Sequence, residues 1–378
     1  MQTRVTEMLG IEFPIFAFSH CRDVVAGVTN AGGFGVLGAV AMSAEHLETE
    51  LTWIDEQVKG KPYGLDLLFP TVSGLGQSAV EATSIDELIP DAHRQFLDGL
   101  LKRYGVPELP EDVQRETATG GGSLALARRT YAPMFEVAYA HGIKLIASGL
   151  GSPPPDIVEE AHRNGAAVLA LAGAKVHAER HVNAGVDLIV AQGTEAGGHT
   201  GDVATMVLVP EVVDAVAPVP VLAAGGIGNG RQMAAAMALG AEGVWCGSVW
   251  LTTEEAETHP VVKEKFLAAT SRDTVRSRSL TGKPARMLRS AWTEEWEHPD
   301  NPDPLPLPLQ SALIGRARMR IARASHEKGS GAEQLDNYFV GQVVGQLNQV
   351  KTCRQVVQEM VSEYVDAIER LDQLSAVE

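Results

Sequence analysis

The chain has 378 residues, 45% of them hydrophobic, with 38 glycines and a formal net charge of −17. That composition suits a globular α/β protein whose tight turns consume glycine, and it excludes disorder along the whole chain. The charge opposes binding to nucleic-acid phosphates or anionic lipid over most of the surface, and every apolar run falls well short of the ~20 residues a spanning helix needs.

From the N-terminus onward, short apolar runs alternate with helix-like runs, which is the pattern of βα units around a parallel sheet. Eight runs read as strands: Pro14 to Phe18, Gly35 to Ala39, Tyr63 to Phe69, Lys144 to Ala147, Ala167 to Leu171, Val186 to Ala191, Pro220 to Ala224 and Gly243 to Cys246. Helical segments such as Asp156 to Asn164 and Arg231 to Leu239 lie between them. Eight βα repeats predict a TIM (β/α)8 barrel, an α/β fold whose chemistry sits at the carboxyl ends of the strands.

Two parts exceed a minimal barrel. After the third strand, residues 70–130 form an insertion with an amphipathic piece (AHRQFLDGLLKRYG) and the run TATGGGS, Thr117 to Ser123. An insertion in a βα loop falls on the active face and is expected to act as a lid or pocket wall. After the eighth strand, the proline-rich His298 to Gln310 leads to a helical extension. There Val356, Val357, Met360, Val361, Tyr364, Val365, Ile368 and Leu371 recur at helical spacing, so a final helix is expected to pack one face on the body or on a second subunit. The expected division is a barrel with its lid over 1–285 and a cap with helical extension over 286–378, in a monomer or a homodimer. The three cysteines, Cys21, Cys246 and Cys353, are an odd number without metal-ligand spacing, so no disulfide framework and no metal site is expected. With no cleavable apolar leader at the N-terminus, a cytoplasmic location is expected.

The stretch with most chemistry follows the sixth strand: QGTEAGGHTG, Gln192 to Gly201. Gly193, Gly197, Gly198 and Gly201 let the backbone approach a flat ligand, and His199 is the titratable tip beside it. A turn whose histidine merely caps a helix or faces water is the alternative. The seventh strand ends in Gly225 and Gly226, with Gly228, Asn229 and Gly230 opening a helix; the eighth ends in Gly247 and Ser248. Bare N–H groups there, together with a nearby helix N-terminus, favour a phosphate. A phosphate at that place and a glycine-lined histidine after strand six suit flavin mononucleotide. Gln192 offers an amide for the pyrimidine edge. Asp66, inside an apolar run, is expected to point into the site, because burying it unpaired against aliphatic helices costs several kcal/mol.

QGTEAGGHTG, VLAAGGIGNGRQMAAAMALGAEGVWCGSVWL and IEFPIFAFSH with TNAGGFGVLGA resemble the nitronate monooxygenase family, FMN enzymes on a TIM barrel; the similarity covers roughly residues 5 to 70 and 140 to 255. The resemblance implies that His199 is catalytic, that Gln192, Gly197 and Gly198 touch the flavin, and that Gly225, Gly226, Gly247 and Ser248 hold the FMN phosphate. It also implies that Ala17 and Ser19 lie under the ring. Phe18, Ser19, His20 and Cys21 depart from the Ala, Pro and Met the family often shows, which brings polar groups toward the pocket. The implied reaction oxidises an alkyl nitronate with dioxygen to a carbonyl compound and nitrite. Two alternatives stay open: an NAD(P)H-dependent reductase of a quinone or an enoyl or CoA-type thioester, and a non-catalytic flavin-binding protein.

Overall fold

The apolar runs form parallel strands β1 (Ile15–Ser19), β2 (Phe34–Gly38), β3 (Gly64–Asp66), β4 (Leu145–Ser148), β5 (Ala167–Ala172) and β6 (Leu188–Gln192). A two-residue strand, β7 (Gly198–His199), stands apart, and β8 (Val221–Ala224) and β9 (Gly243–Cys246) complete the series. The strands close into one barrel in the order β1-β2-β3-β4-β5-β6-β8-β9. The structure is a computed structural model and describes residues 1–40, 42–67, 85–110, 128–327 and 329–375.

All eight expected runs coincide with barrel strands. The third is shorter than read: it spans Gly64–Asp66, with the Leu67 N–H donating to Ala147 O at 3.0 Å, while residues 68 and 69 lie outside the described residues. Period-two alternation sends Phe16, Phe34, Val36, Leu145, Leu169, Leu188, Val190, Leu222 and Trp245 into the barrel, where Val5 and Leu9 of the helix Arg4–Leu9 join the same cluster. The alternate residues, among them Ala17, Leu37, Leu65, Ile146, Val168 and Ile189, pack outward with the helical layer. The carboxyl ends of the strands therefore share one mouth.

Beyond the barrel, β10 (Thr274–Ser277) and β11 (Ala285–Leu288) form an antiparallel hairpin that adds β7 as its third strand. The expected 285/286 boundary thus falls inside β11. Leu97, Leu100 and Leu101 of the helix Asp91–Arg103 share a second core with Trp292, Trp296, Leu313, Ile314 and Ile321. The described middle of the 70–130 insertion and the C-terminal segment are therefore one packed unit; the TATGGGS run lies outside the described residues. The helix Cys353–Ser375 returns to the barrel and buries Val356, Val357 and Met360. Farther along it Val365, Ile368 and Leu371 are 46%, 42% and 48% exposed, so the apolar stripe is only half covered. Among the described residues no helix is long and apolar enough to cross a membrane.

Candidate active site

The segment after β6 is folded back by the protein itself. The Gly193 N–H donates to Ala224 O at 2.9 Å and the Thr194 N–H to Val203 O at 2.8 Å. The Glu195 carboxylate accepts from the Thr205 N–H (3.0 Å) and lies 2.9 Å from the Thr205 hydroxyl, placing negative charge at the start of the helix Thr205–Val216. A Cβ on Gly193, Gly197 or Gly201 would fall 2.1 Å from Thr205 Oγ1, 2.8 Å from Gly341 N or 2.4 Å from Gly173 O. These three glycines serve backbone packing inside the protein, so a ligand reaches Gly197 only through its backbone. Gly198 differs: its φ is +76° and the space a Cβ would take is open.

His199 is held by strand pairing, with Ala285 opposite it and Arg286 opposite Gly198. Its Nδ1 faces the Pro284 carbonyl oxygen at 3.4 Å, and its ring centroid lies 6.3 Å from that of Phe339. A carbonyl can only accept, so Nδ1 carries the proton and Nε2 keeps its lone pair. Burial holds the His199 pKa below the ordinary histidine value; the Pro284 carbonyl opposes this and the positive charge of Lys283 adds to it.

Two arginines tie the His199 segment to the hairpin. Arg286 donates from Nε to Thr194 O at 2.8 Å, and its cross-strand partner Arg276 donates to Asp202 and, at 3.4 Å, to Thr200 O. Like charges directly opposite on neighbouring strands repel. Here each guanidinium engages its own stretch of the same segment, one before His199 and one after it. Sequence reasoning missed both arginines because they lie far along the chain and belong to no motif.

At the mouth, Asp66 is 3% exposed and its Oδ1 has no hydrogen-bond partner. It pairs in register with Gly38 on one side and Ala147 on the other. Burial pushes its carboxyl up to about 8, with a Gly149 N–H pulling the other way, so at neutral pH Asp66 is chiefly an O–H donor. Gln192 ends β6 in register with Ala224. Ala17 packs outward among the helices and Ser19 accepts from the Cys21 N–H at 3.1 Å, so neither side chain lines the mouth. Phe18 does, stacked on Trp245 with centroids 6.0 Å apart and 23° between planes.

The two glycine turns stand at the ends of β8 and β9. Gly225 and Gly226 have φ of +103° and +72°, and among the described residues the N–H groups of Gly225, Gly226 and Gly247 find no protein acceptor. Ser248 Oγ accepts from the Gly341 N–H at 2.8 Å, adding a contact from a distant segment. The expected helix N-terminus does not contribute: at the start of the helix Gly230–Ala238, the Gly230 N–H donates to Glu363 Oε2 and the Gln232 N–H to Asn229 Oδ1, each at 2.9 Å. Unpaired N–H groups, an inward amide and a neutral carboxyl around one mouth fit a flat heterocycle with a phosphate tail. Cys21 with Asp23 and Glu257 forms a separate group of potential metal ligands, but burial raises the Cys21 pKa and its thiol donates to Glu255 O. The protonated thiol is a poor ligand.

The family profile described as nitronate monooxygenase matches residues 2–363. A Mycobacterium tuberculosis protein named as a monooxygenase is 64% identical over 375 residues, covering 99% of each chain. A Rhodococcus jostii protein named as a carboxyl-CoA dehydrogenase of a hydroxy-oxo-octahydroindene is 27% identical over 411 residues, covering 100% of this chain and 99% of that one. Among solved structures, the nitroalkane oxidase of Streptomyces ansochromogenes is similar, with a TM-score of 0.79 and 25% identity over 98% of this chain and 100% of that chain.

Proposed function

The chain belongs to the nitronate monooxygenase family of flavin-dependent oxidoreductases, and from that premise we propose that it is an FMN enzyme oxidising alkyl nitronates with dioxygen to a carbonyl compound and nitrite. The observation that carries the reading is His199: an imidazole kept neutral by burial, with Nε2 without a hydrogen-bond partner among the described residues, on a segment clamped at both ends. The likeness to a nitroalkane oxidase structure supports it.

FMN, when bound, would supply the electron-accepting and oxygen-reacting chemistry. The free N–H groups of Gly225, Gly226 and Gly247 would hold its phosphate. Gln192 and the neutral Asp66 would meet its polar edge, one offering both donor and acceptor and the other a donor. His199 Nε2 takes the acidic α-proton of a nitroalkane, leaving the C–H electron pair in the nitro group as the nitronate; once protonated, the ring stabilises that negative charge. Phe18, Trp245 and Phe339 give the site apolar walls that limit water.

The Rhodococcus jostii relative, named as a dehydrogenase of a carboxyl-CoA compound, supports a second reading only as far as redox chemistry on a CoA-type thioester; run as a reduction with NAD(P)H, that chemistry would have His199 give a proton instead of taking one. Turnover of nitroethane and of preformed ethylnitronate in air, read as nitrite release and oxygen uptake, separates them. The wild type should release nitrite from both. His199→Ala should retain FMN yet lose about 10²- to 10⁴-fold on nitroethane, the range of a lost general base. Wild-type rates in the alanine variant would make His199 a turn residue, and the absence of nitrite from either compound would favour the thioester reading.

A further inference from the structure

His20 stands at the end of β1, and three observations place its ring over the barrel mouth. Strand alternation runs inward through Phe16 and Phe18, so the next inward position is His20. The parallel register Ser19 with Leu37 carries on to His20 beside Gly38, which is itself paired with Asp66. Most directly, a Cβ built on Gly38 would lie 2.6 Å from His20 Nδ1 and 2.7 Å from its Cε1. That Cβ would project into the mouth, because Phe34 and Val36 of the same strand face inward. The absence of a side chain at Gly38 is what makes room for the imidazole.

The ring is also oriented. Nδ1 lies 2.8 Å from Gly38 O, and since the carbonyl only accepts, Nδ1 carries the proton and Nε2 presents a lone pair. The ring sits edge-on to Phe18, 5.2 Å between centroids and 77° between planes. Depth separates it from its neighbours: Asp66 and Trp245 are 3% and 6% exposed at the floor, whereas His20 is exposed. A flat cofactor held by the floor would leave the open side, where His20 stands, for the substrate.

We propose that His20 is a specificity-determining residue, its Nε2 accepting a hydrogen bond from a hydroxyl or N–H group of the substrate. The substrate class this selects is a short nitro compound or nitronate with a polar, donor-bearing tail in preference to a plain alkyl one. A site that pairs a hydroxyl favours that substrate over the analogue without it by the net worth of the hydrogen bond. The inference rests on the oxidoreductase reading given above.

The test compares kcat/KM of the FMN-loaded enzyme on the nitronates of 2-nitroethanol and nitroethane, which differ by one hydroxyl. The wild type should prefer the hydroxylated compound by on the order of 10-fold, the worth of one hydrogen bond. His20→Ala should abolish the preference, chiefly through KM, with FMN content unchanged; His20→Gln, which keeps an acceptor, should restore part of it. Gly38→Ala should mimic His20→Ala although the imidazole is still present, since its methyl displaces the ring. A wild type without the preference, or a His20→Ala variant that keeps it, overturns the proposal while leaving nitronate oxidation standing. A wild type that consumes neither nitronate overturns both.

Discussion

Asp66 shows how one residue carries information from sequence to chemistry. A carboxylate inside an apolar run has to find a partner or lose its charge. In the fold it does the latter, with a carboxyl pushed up to about 8 against ~3.9 in an unfolded chain. Between those values the folded chain keeps a proton that the unfolded chain has released, so stability declines as pH rises through that window and levels off above it. Asp66→Asn removes the titration. Its melting temperature relative to the wild type should therefore climb from pH 4 to pH 8, measured in parallel thermal scans; a difference independent of pH would mean that the carboxyl ionises there without penalty. His199, Gln192 and Asp66 were legible because each is a polar residue at the end of, or within, an apolar run. The inward face of β1, Phe16 and Phe18, was not legible from pattern alone, because a strand buried on both faces has no polar alternation from which to read its phase.

At the scale of elements, glycine does two jobs that the sequence does not tell apart. Gly193, Gly197 and Gly201 let segments of this chain touch each other, while the N–H groups of Gly225, Gly226 and Gly247 have no acceptor among the described residues. Only the second job leaves donors available to an anion. The helix start at Gly230 was an equally good anion site on sequence grounds, but Glu363 from the final helix occupies it, and nothing local announces a residue 133 positions away. Gly226→Asp tests the cradle: φ is +72° and Glu195 side-chain atoms lie 3.3 Å from the new Cβ, so the variant strains the turn and adds negative charge. FMN retained after gel filtration should drop by at least about 10-fold, on the scale of one lost charge-assisted contact. Full retention would move the phosphate elsewhere.

Across the whole molecule, the barrel was readable because eight short strands each carry their own apolar signature. The cap was not. The helix Asp91–Arg103 is visible as an amphipathic piece, but its partners Trp292, Trp296 and Leu313 lie some 200 positions on, and no local pattern joins them. The hairpin of β10 and β11 connects the two parts, pairing the cap's chain directly with His199. We propose that this assembly passes electrons from a nitronate to a bound flavin. The decisive test mixes the FMN-loaded protein with ethylnitronate under anaerobic conditions, and separately with NADH and NADPH, while following the visible absorption band of the flavin. Ethylnitronate should bleach the band within the turnover time, with colour returning on admission of oxygen; bleaching by NADH or NADPH while ethylnitronate leaves the band unchanged would contradict the claim.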